Sequence, residues 1–454
     1  MGIFFREFER ITEESLQASP IFDGVRLFCW LGHIVEQWTN EDEENGTNPK
    51  VQDEDSYQWI RRCPYGGNAL QFTNYVGLIP VGAGVFIEIF PKIKIGPSKS
   101  EERRILFQMV CTLIEDVKPI KFEEESLQTK EETSLYERLI ELFLHDVFCL
   151  VRHGVAKAYV NLDGNLPYLK GRLLFTEQIK RNKGQMNSFY TQHDEFLPNR
   201  LENRVIKAAL LTVKKYSINT RHLRIINELL TAFDGVSVNV QPNEVKRTYC
   251  DREMKYYGKA LKWSELILRN LSPTFLKTAR HSLKTPCLLF PMHRLFEAFV
   301  FKCLENQNNG DLVFEAQNTD HYLFVDDSFT PQFKNQPLRP DIVVKHNGQT
   351  VVIMDTKWKK VTKDDLKISS ADLYQMYVYG KKYFGQKSGV IFLIFPKNEE
   401  FKEMVGPVLF DNEPKLSLYL VPFDFEKKEL NLGSSTLSAF ISKSGAYATG
   451  SPAV

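Results

Sequence analysis

The spacing of apolar and polar residues divides the chain into three parts. In the first hundred residues, Val, Ile and Phe recur between Gly and Pro, as in "QFTNYVGLIPVGAGVFIEIFPKIKIG", which predicts strands with Gly82 and Gly84 in a tight connection. From about Glu101 the apolar residues are three and four apart, as in "EERRILFQMVCTLIEDV" and "TSLYERLIELFLHDVFCLVRHG". This spacing predicts helices, with Gly154 as the cap that ends the second one. Further helical patterns, such as "NRVIKAALLTVKKY", extend to about Leu271.

The last part of the chain mixes both patterns. It begins after two breaks, Ser272-Pro273 and Thr285-Pro286, with the predicted helix "MHRLFEAFVFKCLEN". Short strands follow around "DLVFEAQ" and "HYLFVDD", then a hairpin at Asn347-Gly348, the helix "ADLYQMYVYGKKYF" and the strand "SGVIFLIFP". This order is typical of an α/β domain. We therefore predict a multidomain α/β protein, with a β-rich N-terminal domain (1–100), a mainly helical middle region (101–271), an α/β domain (272–440) and a flexible tail (441–454).

Composition excludes several classes of protein. No apolar run approaches the length of a membrane span, and the start, "MGIFFREFERITEESLQ", carries acids, unlike a signal peptide, so we expect a cytoplasmic protein. The seven cysteines are odd in number and contain no CxxC, which indicates neither a disulfide framework nor a zinc site. Lys and Arg total 58 against 57 Asp and Glu, so no overall cationic field attracts nucleic acid.

Charge is nevertheless unevenly distributed. The stretch from Glu36 to Ser56 holds eight acids and one lysine, which predicts a solvated loop or insertion. The stretch from Arg200 to Arg224 is rich in Arg and Lys with one acid. It is either an ordinary solvated surface or a basic helical face that follows phosphates.

The hairpin "RPDIVVKHNGQTVVIMDTKWK" carries two aspartates and a lysine among apolar residues. Residues two apart on a strand share a face, so Asp355 and Lys357 project together. With a regular two-residue turn, Asp341 would lie opposite Met354 and face away from Asp355. A longer loop or one bulge would place Asp341 opposite Ile353 or Asp355. A shared site therefore requires an irregular hairpin.

Two carboxylates that converge inside an apolar sheet repel one another unless a cation lies between them. Mg²⁺, with Mn²⁺ as the alternative, suits hard oxygen ligands and completes its shell with water and phosphate oxygens. Lys357 on the same face would orient the attacking water or stabilise negative charge on a phosphate. The alternative is an ordinary hairpin with outward charges, since an Asp-x-Lys after an apolar run is common.

Three helical residues are further candidates for this site. Glu297 lies at the margin of the apolar stripe of its helix, where it is either a metal ligand or a rim glutamate paired with a neighbouring Lys or Arg. Gln375 and Tyr379 are four apart, so they share one helical face. They either pack or present an amide and a hydroxyl to the same site.

The pattern Glu297, Pro340-Asp341, Asp355-Thr356-Lys357 and Gln375-x-x-x-Tyr379 resembles the PD-(D/E)xK nuclease superfamily, in its RecB-like branch. Longer stretches resemble the McrC family, the nuclease subunits of McrBC-type modification-dependent restriction systems. These stretches are "NYVGLIPVGAGVFIEIFPKI", "LYERLIELFL", "GNLPYLKGRL", "ENRVIKAAL", "PMHRLFEAFV" and "RPDIVV" with "IMDTKWK". The acidic stretch near Glu41 and the C-terminal tail are not part of that family pattern.

The resemblance implies a Mg²⁺-dependent endonuclease that cuts modified double-stranded DNA, with Asp341, Asp355, Lys357, Glu297, Gln375 and Tyr379 at the active site and Asp341, Asp355 and Glu297 as metal ligands. It also implies a separate partner, an McrB-like hexamer of AAA+ GTPases, which recognises and translocates the DNA. The N-terminal part of this chain would dock on that hexamer and stimulate its GTP hydrolysis. The sequence contains no G-x-x-x-x-G-K-[ST] phosphate loop, which agrees with a nucleotide-driven step in a partner. Two alternatives stay open: a catalytically silent assembly subunit and a stand-alone RecB-like exonuclease.

Overall fold

The computed structural model describes residues 2–17, 24–44, 58–63, 68–82, 85–113, 135–184, 187–245, 252–271, 287–308, 310–323, 337–362, 368–411, 413–433 and 435–443. The strands are β1 (Gly2–Arg6), β2 (Arg10–Ile11), β3 (Ile60–Arg62), β4 (Leu70–Phe72), β5 (Tyr75–Gly82), β6 (Val85–Phe90), β7 (Ala158–Leu166), β8 (Arg172–Leu173), β9 (Phe189–Leu197), β10 (Leu288–Pro291), β11 (Val313–Ala316), β12 (Ile342–His346), β13 (Gln349–Thr356), β14 (Gly389–Pro396), β15 (Val405–Phe410), β16 (Glu413–Asp424) and β17 (Glu429–Leu430). The α-helices are α1 (Glu13–Gln17), α2 (Gly24–Glu44), α3 (Lys99–Leu113), α4 (Leu135–His153), α5 (Phe175–Arg181), α6 (Leu201–Tyr216), α7 (Thr220–Ala232), α8 (Pro242–Val245), α9 (Gly258–Leu271), α10 (Met292–Gln307), α11 (Ser370–Phe384) and α12 (Leu437–Lys443), and a 3₁₀ helix spans Arg252–Tyr257.

The N-terminal part is built on a four-stranded sheet of order β1-β6-β5-β10. Side chains alternate across strand β6, so Ile87 and Ile89 join a core with α2 and the small sheet β2-β4-β3, while Phe86 faces the core formed with α3 and α4. The predicted strands are confirmed as β5 and β6, whereas Gly84 of their predicted tight connection lies outside the described residues. The sheet therefore separates two apolar layers.

The prediction of a loop from Glu36 was wrong for its first part, because α2 continues to Glu44. The buried residues Leu27, Leu31 and Ile34 recur at helical spacing and anchor this helix on the sheet. Glutamate is a good helix former, so an acidic run extends a helix that has such an anchor. Residues 45–57 of the acidic stretch lie outside the described residues.

The middle region is helical, as predicted, with one β insertion. Gly154, at a φ of 116°, donates its N–H to the carbonyl of Leu150 at 3.0 Å and ends α4, which confirms the predicted cap. The insertion is a three-stranded sheet of order β7-β9-β8. In the basic stretch, Arg200 pairs with Glu202, and Lys207 donates to two carbonyls beyond the end of α7. These two cations therefore have partners within the fold.

The last part is an α/β unit around a seven-stranded sheet of order β11-β12-β13-β14-β16-β15, with β17 added beside β16. Strands β13, β14 and β16 are parallel, and α11 connects β13 to β14. Residues Val352 and Met354 of β13 contribute to the core that contains α10, whereas Ile353 joins the core that contains α11. The end of β13 thus lies between layers that carry α10 and α11.

Three predictions differ from the structure. Residues Leu288–Pro291, which lie within the predicted α/β domain (272–440), form β10, and this strand pairs antiparallel with β5 of the N-terminal sheet. The predicted strand at "HYLFVDD" is reduced, among its described residues, to an isolated bridge between Tyr322 and Pro337. The predicted tail starts too early, because Ile441 is buried within α12, and residues 444–454 lie outside the described residues. Within the described part of the chain, no single helix is both long enough and apolar enough to cross a membrane.

Candidate active site

The hairpin β12–β13 closes with a two-residue turn. His346 pairs with Gln349, and both turn residues have positive φ, 48° at Asn347 and 77° at Gly348. Positive φ at both positions is the geometry that an Asn-Gly sequence favours in a tight hairpin. The turn itself is therefore the regular one that the sequence indicated.

One irregularity in the ladder nevertheless brings the two aspartates together. The register shifts between Val344 and Lys345. On the side of this shift that is farther from the turn, Ile342 lies opposite Met354. Continuing the ladder by one residue places Asp341 opposite Asp355, on the same face. The irregularity that the hairpin was predicted to need is therefore present, as this bulge.

Asp341 is held by the neighbouring strand. Its Oδ2 accepts two hydrogen bonds from Thr356, one from the backbone N–H and one from the hydroxyl, each at 2.7 Å. Burial raises the pKa of Asp341 to about 6, and the charge of Glu297 adds to this effect. The carboxylate is therefore oriented by Thr356 while its charged form is disfavoured.

Asp355 is the more deeply buried carboxylate, with 2% of its surface exposed. Lys357 Nζ lies 2.7 Å from its Oδ2. Burial, with the charge of Asp341 as the next cause, raises the pKa of Asp355 to about 7 against the opposing charge and hydrogen bond of Lys357. One lysine thus only partly compensates two adjacent carboxylates.

Lys357 connects Asp355 to helix α11 through its ammonium group. Burial acts to lower the pKa of Lys357, but the charge and hydrogen bond of Asp355, together with the charges of Asp372 and Asp341, outweigh burial and the pKa is raised. Lys357 Nζ donates to Gln375 Oε1 at 3.2 Å, Gln375 Nε2 donates to the Tyr379 hydroxyl at 2.9 Å, and this hydroxyl donates to the Arg339 carbonyl at 3.0 Å. The predicted amide and hydroxyl therefore face the same site as the lysine.

Glu297 lies on α10 beside the two aspartates, but its described hydrogen bond is to Gln317. Gln317 Nε2 donates to its Oε1. Burial raises the pKa of Glu297, and the charge of Asp355 adds to the effect. Among the described residues, no three His, Cys, Asp or Glu side chains converge as a ready metal-binding group. Asp341, Asp355 and Glu297 therefore do not converge as the predicted group of three metal ligands. The two aspartates lie together, and Glu297 is bonded to Gln317.

Sequence reasoning missed two residues that shape the site. The sequence predicts no role for Thr356, which is only the middle residue of the Asp-x-Lys motif. Asp372 forms a capping box with Ser369 at the start of α11, and it also accepts from Lys359 at 2.7 Å and lies 3.7 Å from Lys357. The Ser-x-x-Asp spacing was a visible signal of the cap. Its proximity to the two lysines follows only from the folded sheet.

The donor set fits a divalent cation. Asp341 and Asp355 are hard oxygen donors on adjacent strands, and the raised pKa of each reports unfavourable negative charge at one place. A bound Mg²⁺ would remove this cost, and one or two carboxylates are its usual protein ligands. The arrangement therefore suits metal-assisted chemistry on a phosphate.

Comparison with known proteins supports a restriction-system origin. Residues 70–396 match the family model of the "McrBC 5-methylcytosine restriction system component". A chain of the refined half-complex from the tetradecameric assembly of Thermococcus gammatolerans McrB AAA+ hexamers with bound McrC is 19% identical, with a TM-score of 0.63, over 97% of this chain and 98% of that one. A chain of the Thermococcus gammatolerans McrBC complex has 19% identity and a TM-score of 0.47, over 67% of this chain and 87% of that one. No curated protein matches the sequence.

Proposed function

Because the chain belongs to the family of McrBC 5-methylcytosine restriction system components, we propose that it is the DNA-cleaving subunit of such a system. It would act in the cytoplasm as a Mg²⁺-dependent endonuclease that hydrolyses phosphodiester bonds of modified foreign DNA. The observation that carries this proposal is the bulged hairpin, which sets Asp341 opposite Asp355 with Lys357 Nζ 2.7 Å from Asp355.

The chain's own residues have separate roles in the proposed reaction. Asp341 and Asp355 would hold Mg²⁺, which when bound lowers the pKa of water and neutralises charge on the phosphate. Thr356 fixes the orientation of Asp341 through two hydrogen bonds. Lys357, raised in pKa and therefore cationic at neutral pH, stabilises negative charge that develops on the phosphate.

The residues of the flanking helices complete the proposed site. Gln375 restrains the Lys357 ammonium from α11, and Tyr379 restrains the Gln375 amide. Glu297 would contribute from α10 after its bond to Gln317 is released. Catalysis would thus depend on two helices from opposite faces of one sheet.

The proposal includes an McrB-like AAA+ GTPase partner. The similar chain comes from an assembly of McrB AAA+ hexamers with bound McrC, and this sequence carries no phosphate loop of its own. We place the contact in the N-terminal part, with the pair around Gly82 to Pro91 as the candidate. Strands β5 and β6 each have neighbours on both sides in the sheet, so contact there would use the ends of the pair. Normal GTPase stimulation after deletion of this pair would refute this placement.

Two alternatives are less well supported. A catalytically silent scaffold would not require Asp341, Asp355 and Lys357 to be brought together by a bulge. A stand-alone exonuclease leaves the large N-terminal and middle regions without a role. Degradation of DNA by this chain in the absence of any GTPase would favour the exonuclease.

The test is a cleavage assay of the chain with its GTPase partner on methylated plasmid, in the presence of GTP and Mg²⁺. Wild type is compared with Asp355→Asn and with Asp311→Asn, an exposed aspartate of the same α/β unit that serves as the matched control. We expect cutting by wild type and by Asp311→Asn, no cutting by Asp355→Asn, and no cutting by any of the three proteins when the metal is chelated. Equal cutting by wild type and Asp355→Asn would remove the proposed site.

A further inference from the structure

A buried carboxylate connects the first strand of the chain to the active-site strand. Glu7 directly follows β1 and is 3% exposed. Its Oε2 accepts a hydrogen bond from the Trp358 indole Nε1 at 2.9 Å and another from the Lys92 backbone N–H, also at 2.9 Å. Trp358 is the residue after Lys357, so this contact joins the N-terminal sheet to the neighbour of the proposed catalytic lysine.

Burial of the Glu7 carboxylate is energetically unfavourable. Burial raises the pKa of Glu7 to about 6. The described residues provide no hydrogen-bond partner for its second oxygen, Oε1, which is also buried. An unsatisfied buried polar atom destabilises a fold by about 1–3 kcal/mol. Packing alone does not account for a carboxylate at this position, since an apolar side chain would avoid that cost.

The indole is fixed on its other sides by aromatic side chains. Trp358 is 7% exposed, and its ring centroid lies 5.4 Å from Phe296 and 6.3 Å from Phe425. Phe296 directly precedes Glu297 on α10. The indole thus lies beside both Lys357 and the helix that carries Glu297, and Glu7 supplies its polar restraint.

The backbone beside Trp358 leaves Lys357 little freedom of its own. The Lys357 N–H donates to the carbonyl of Ile394 in β14 at 2.8 Å, and its carbonyl accepts from the Lys359 N–H at 2.9 Å. A rotation or shift of the Trp358 indole would therefore be transmitted through this short segment to Lys357. Its ammonium must stay within bonding distance of Asp355 and Gln375.

We infer that Glu7 is a positioning residue for Lys357, because its hydrogen bond to Trp358 fixes the end of β13 and makes the active-site geometry depend on the docked N-terminal sheet. This inference rests on the proposed nuclease function. It assigns to the first strand a direct role in the nuclease site, separate from any contact with a partner.

The test compares single and double variants in the full complex with the GTPase, with kcat and KM for plasmid cleavage measured separately. Glu7→Ala removes the acceptor, Trp358→Phe removes the donor but keeps an aromatic ring, and Glu7→Gln keeps a carbonyl acceptor. A small misplacement of a catalytic group costs up to about a hundredfold in rate, so we expect kcat to fall by about tenfold or more in Glu7→Ala and in Trp358→Phe, with KM little changed. The double variant should be no slower than the slower single variant, and Glu7→Gln should recover most of the rate.

A matched control separates positioning from stability. Glu202 is also a buried carboxylate, on α6 of the middle region, but it is paired with Arg200 and has no described bond to the nuclease site. Glu202→Ala should lower the melting temperature and leave the kcat of the folded enzyme near that of wild type. If Glu7→Ala does not fold, Trp358→Phe decides the question.

Two different failures are distinguishable. A wild-type complex that does not cut with GTP and Mg²⁺ refutes the nuclease function itself. A wild-type complex that cuts, with wild-type kcat in folded Glu7→Ala or Trp358→Phe, overturns only the positioning role of Glu7. Additive losses in the double variant would also overturn it, since two residues that act through one hydrogen bond cannot lose it twice.

Discussion

Thr356 donates two hydrogen bonds to one oxygen of Asp341, from its backbone N–H and from its hydroxyl, each at 2.7 Å. Only the second is removed by Thr356→Val, which keeps the shape of the side chain. Groups that orient a metal ligand typically contribute about 10–100-fold to metal affinity or activity. We therefore expect the Mg²⁺ concentration for half-maximal cleavage to rise by about tenfold in Thr356→Val, as measured by a metal titration of plasmid cutting.

Thr350 provides the control for this substitution. It lies on the same strand, near the turn, where it pairs with Lys345 rather than with an aspartate. Thr350→Val should leave the Mg²⁺ titration unchanged. The same titration curve for Thr356→Val and wild type would show that the hydroxyl does not orient Asp341 for metal binding.

Lys357 and Lys359 form a natural pair for testing the proposed catalytic role of Lys357. They flank Trp358, and both approach Asp372, but among the described contacts only Lys357 is paired with Asp355. Loss of a group that stabilises developing charge typically costs about 10²–10³-fold in rate. We expect Lys357→Met to reduce cleavage by about a hundredfold or more and Lys359→Met to reduce it by only about twofold.

Binding assays complete this comparison. Both variants should bind the DNA and the GTPase partner with affinities close to wild type, since each substitution removes a single charge and the proposed role of Lys357 is in cleavage rather than in binding. Equal losses of cleavage in the two variants would indicate a general effect of positive charge near the sheet, and would contradict the role of Lys357.

The grouping of the two aspartates and the lysine could be predicted from sequence because these residues are close along the chain. Asp355 and Lys357 share a strand, and the Asn347-Gly348 turn fixes how Asp341 returns beside them. The need for an irregularity followed from the period of two in a strand. The position of the bulge, after Val344, did not follow, because several apolar residues in the hairpin would each accommodate the extra residue.

The features that escaped prediction depend on long-range contacts or on a competing local signal. Strand β10 joins β5 across more than two hundred residues, and the Glu7–Trp358 bond joins opposite parts of the chain. No local pattern encodes such a pairing. Helix α2 had a readable apolar stripe, but the acids that follow it favoured a loop in the sequence interpretation. The packing of the apolar face of α2 therefore outweighed the acidic composition from which the loop was predicted.

The raised pKa values of the two aspartates predict how the metal-free protein responds to pH. Asp341 and Asp355 change from an ordinary value of 3.8 to about 6 and about 7 in the folded protein. The folded state therefore holds these protons more tightly than the unfolded chain. Their contribution to stability is complete below about pH 4 and is lost as the pH rises through about 7.

This dependence is measurable as a difference between two proteins. The free energy of unfolding of wild type minus that of Asp355→Asn should fall between about pH 4 and about pH 7 in the absence of metal. Addition of Mg²⁺ near pH 7 should stabilise wild type more than the variant, because ligand binding favours the folded state that holds it. Parallel pH curves for the two proteins would contradict the raised pKa of Asp355.

Gly389 permits the close packing of α11 on the sheet. A Cβ at this first residue of β14 would lie 2.1–2.4 Å from carbons of the Phe384 ring, at the buried end of α11. Extra volume in a packed core typically costs about 1–3 kcal/mol. Gly389→Ala should therefore lower the free energy of unfolding by this amount in urea titrations. Addition of Phe384→Leu should recover part of it, whereas Gly258→Ala, where a Cβ meets no atom within 4 Å, should cause no loss. Wild-type stability in Gly389→Ala would mean that α11, which carries Gln375 and Tyr379, has room to move away from the sheet.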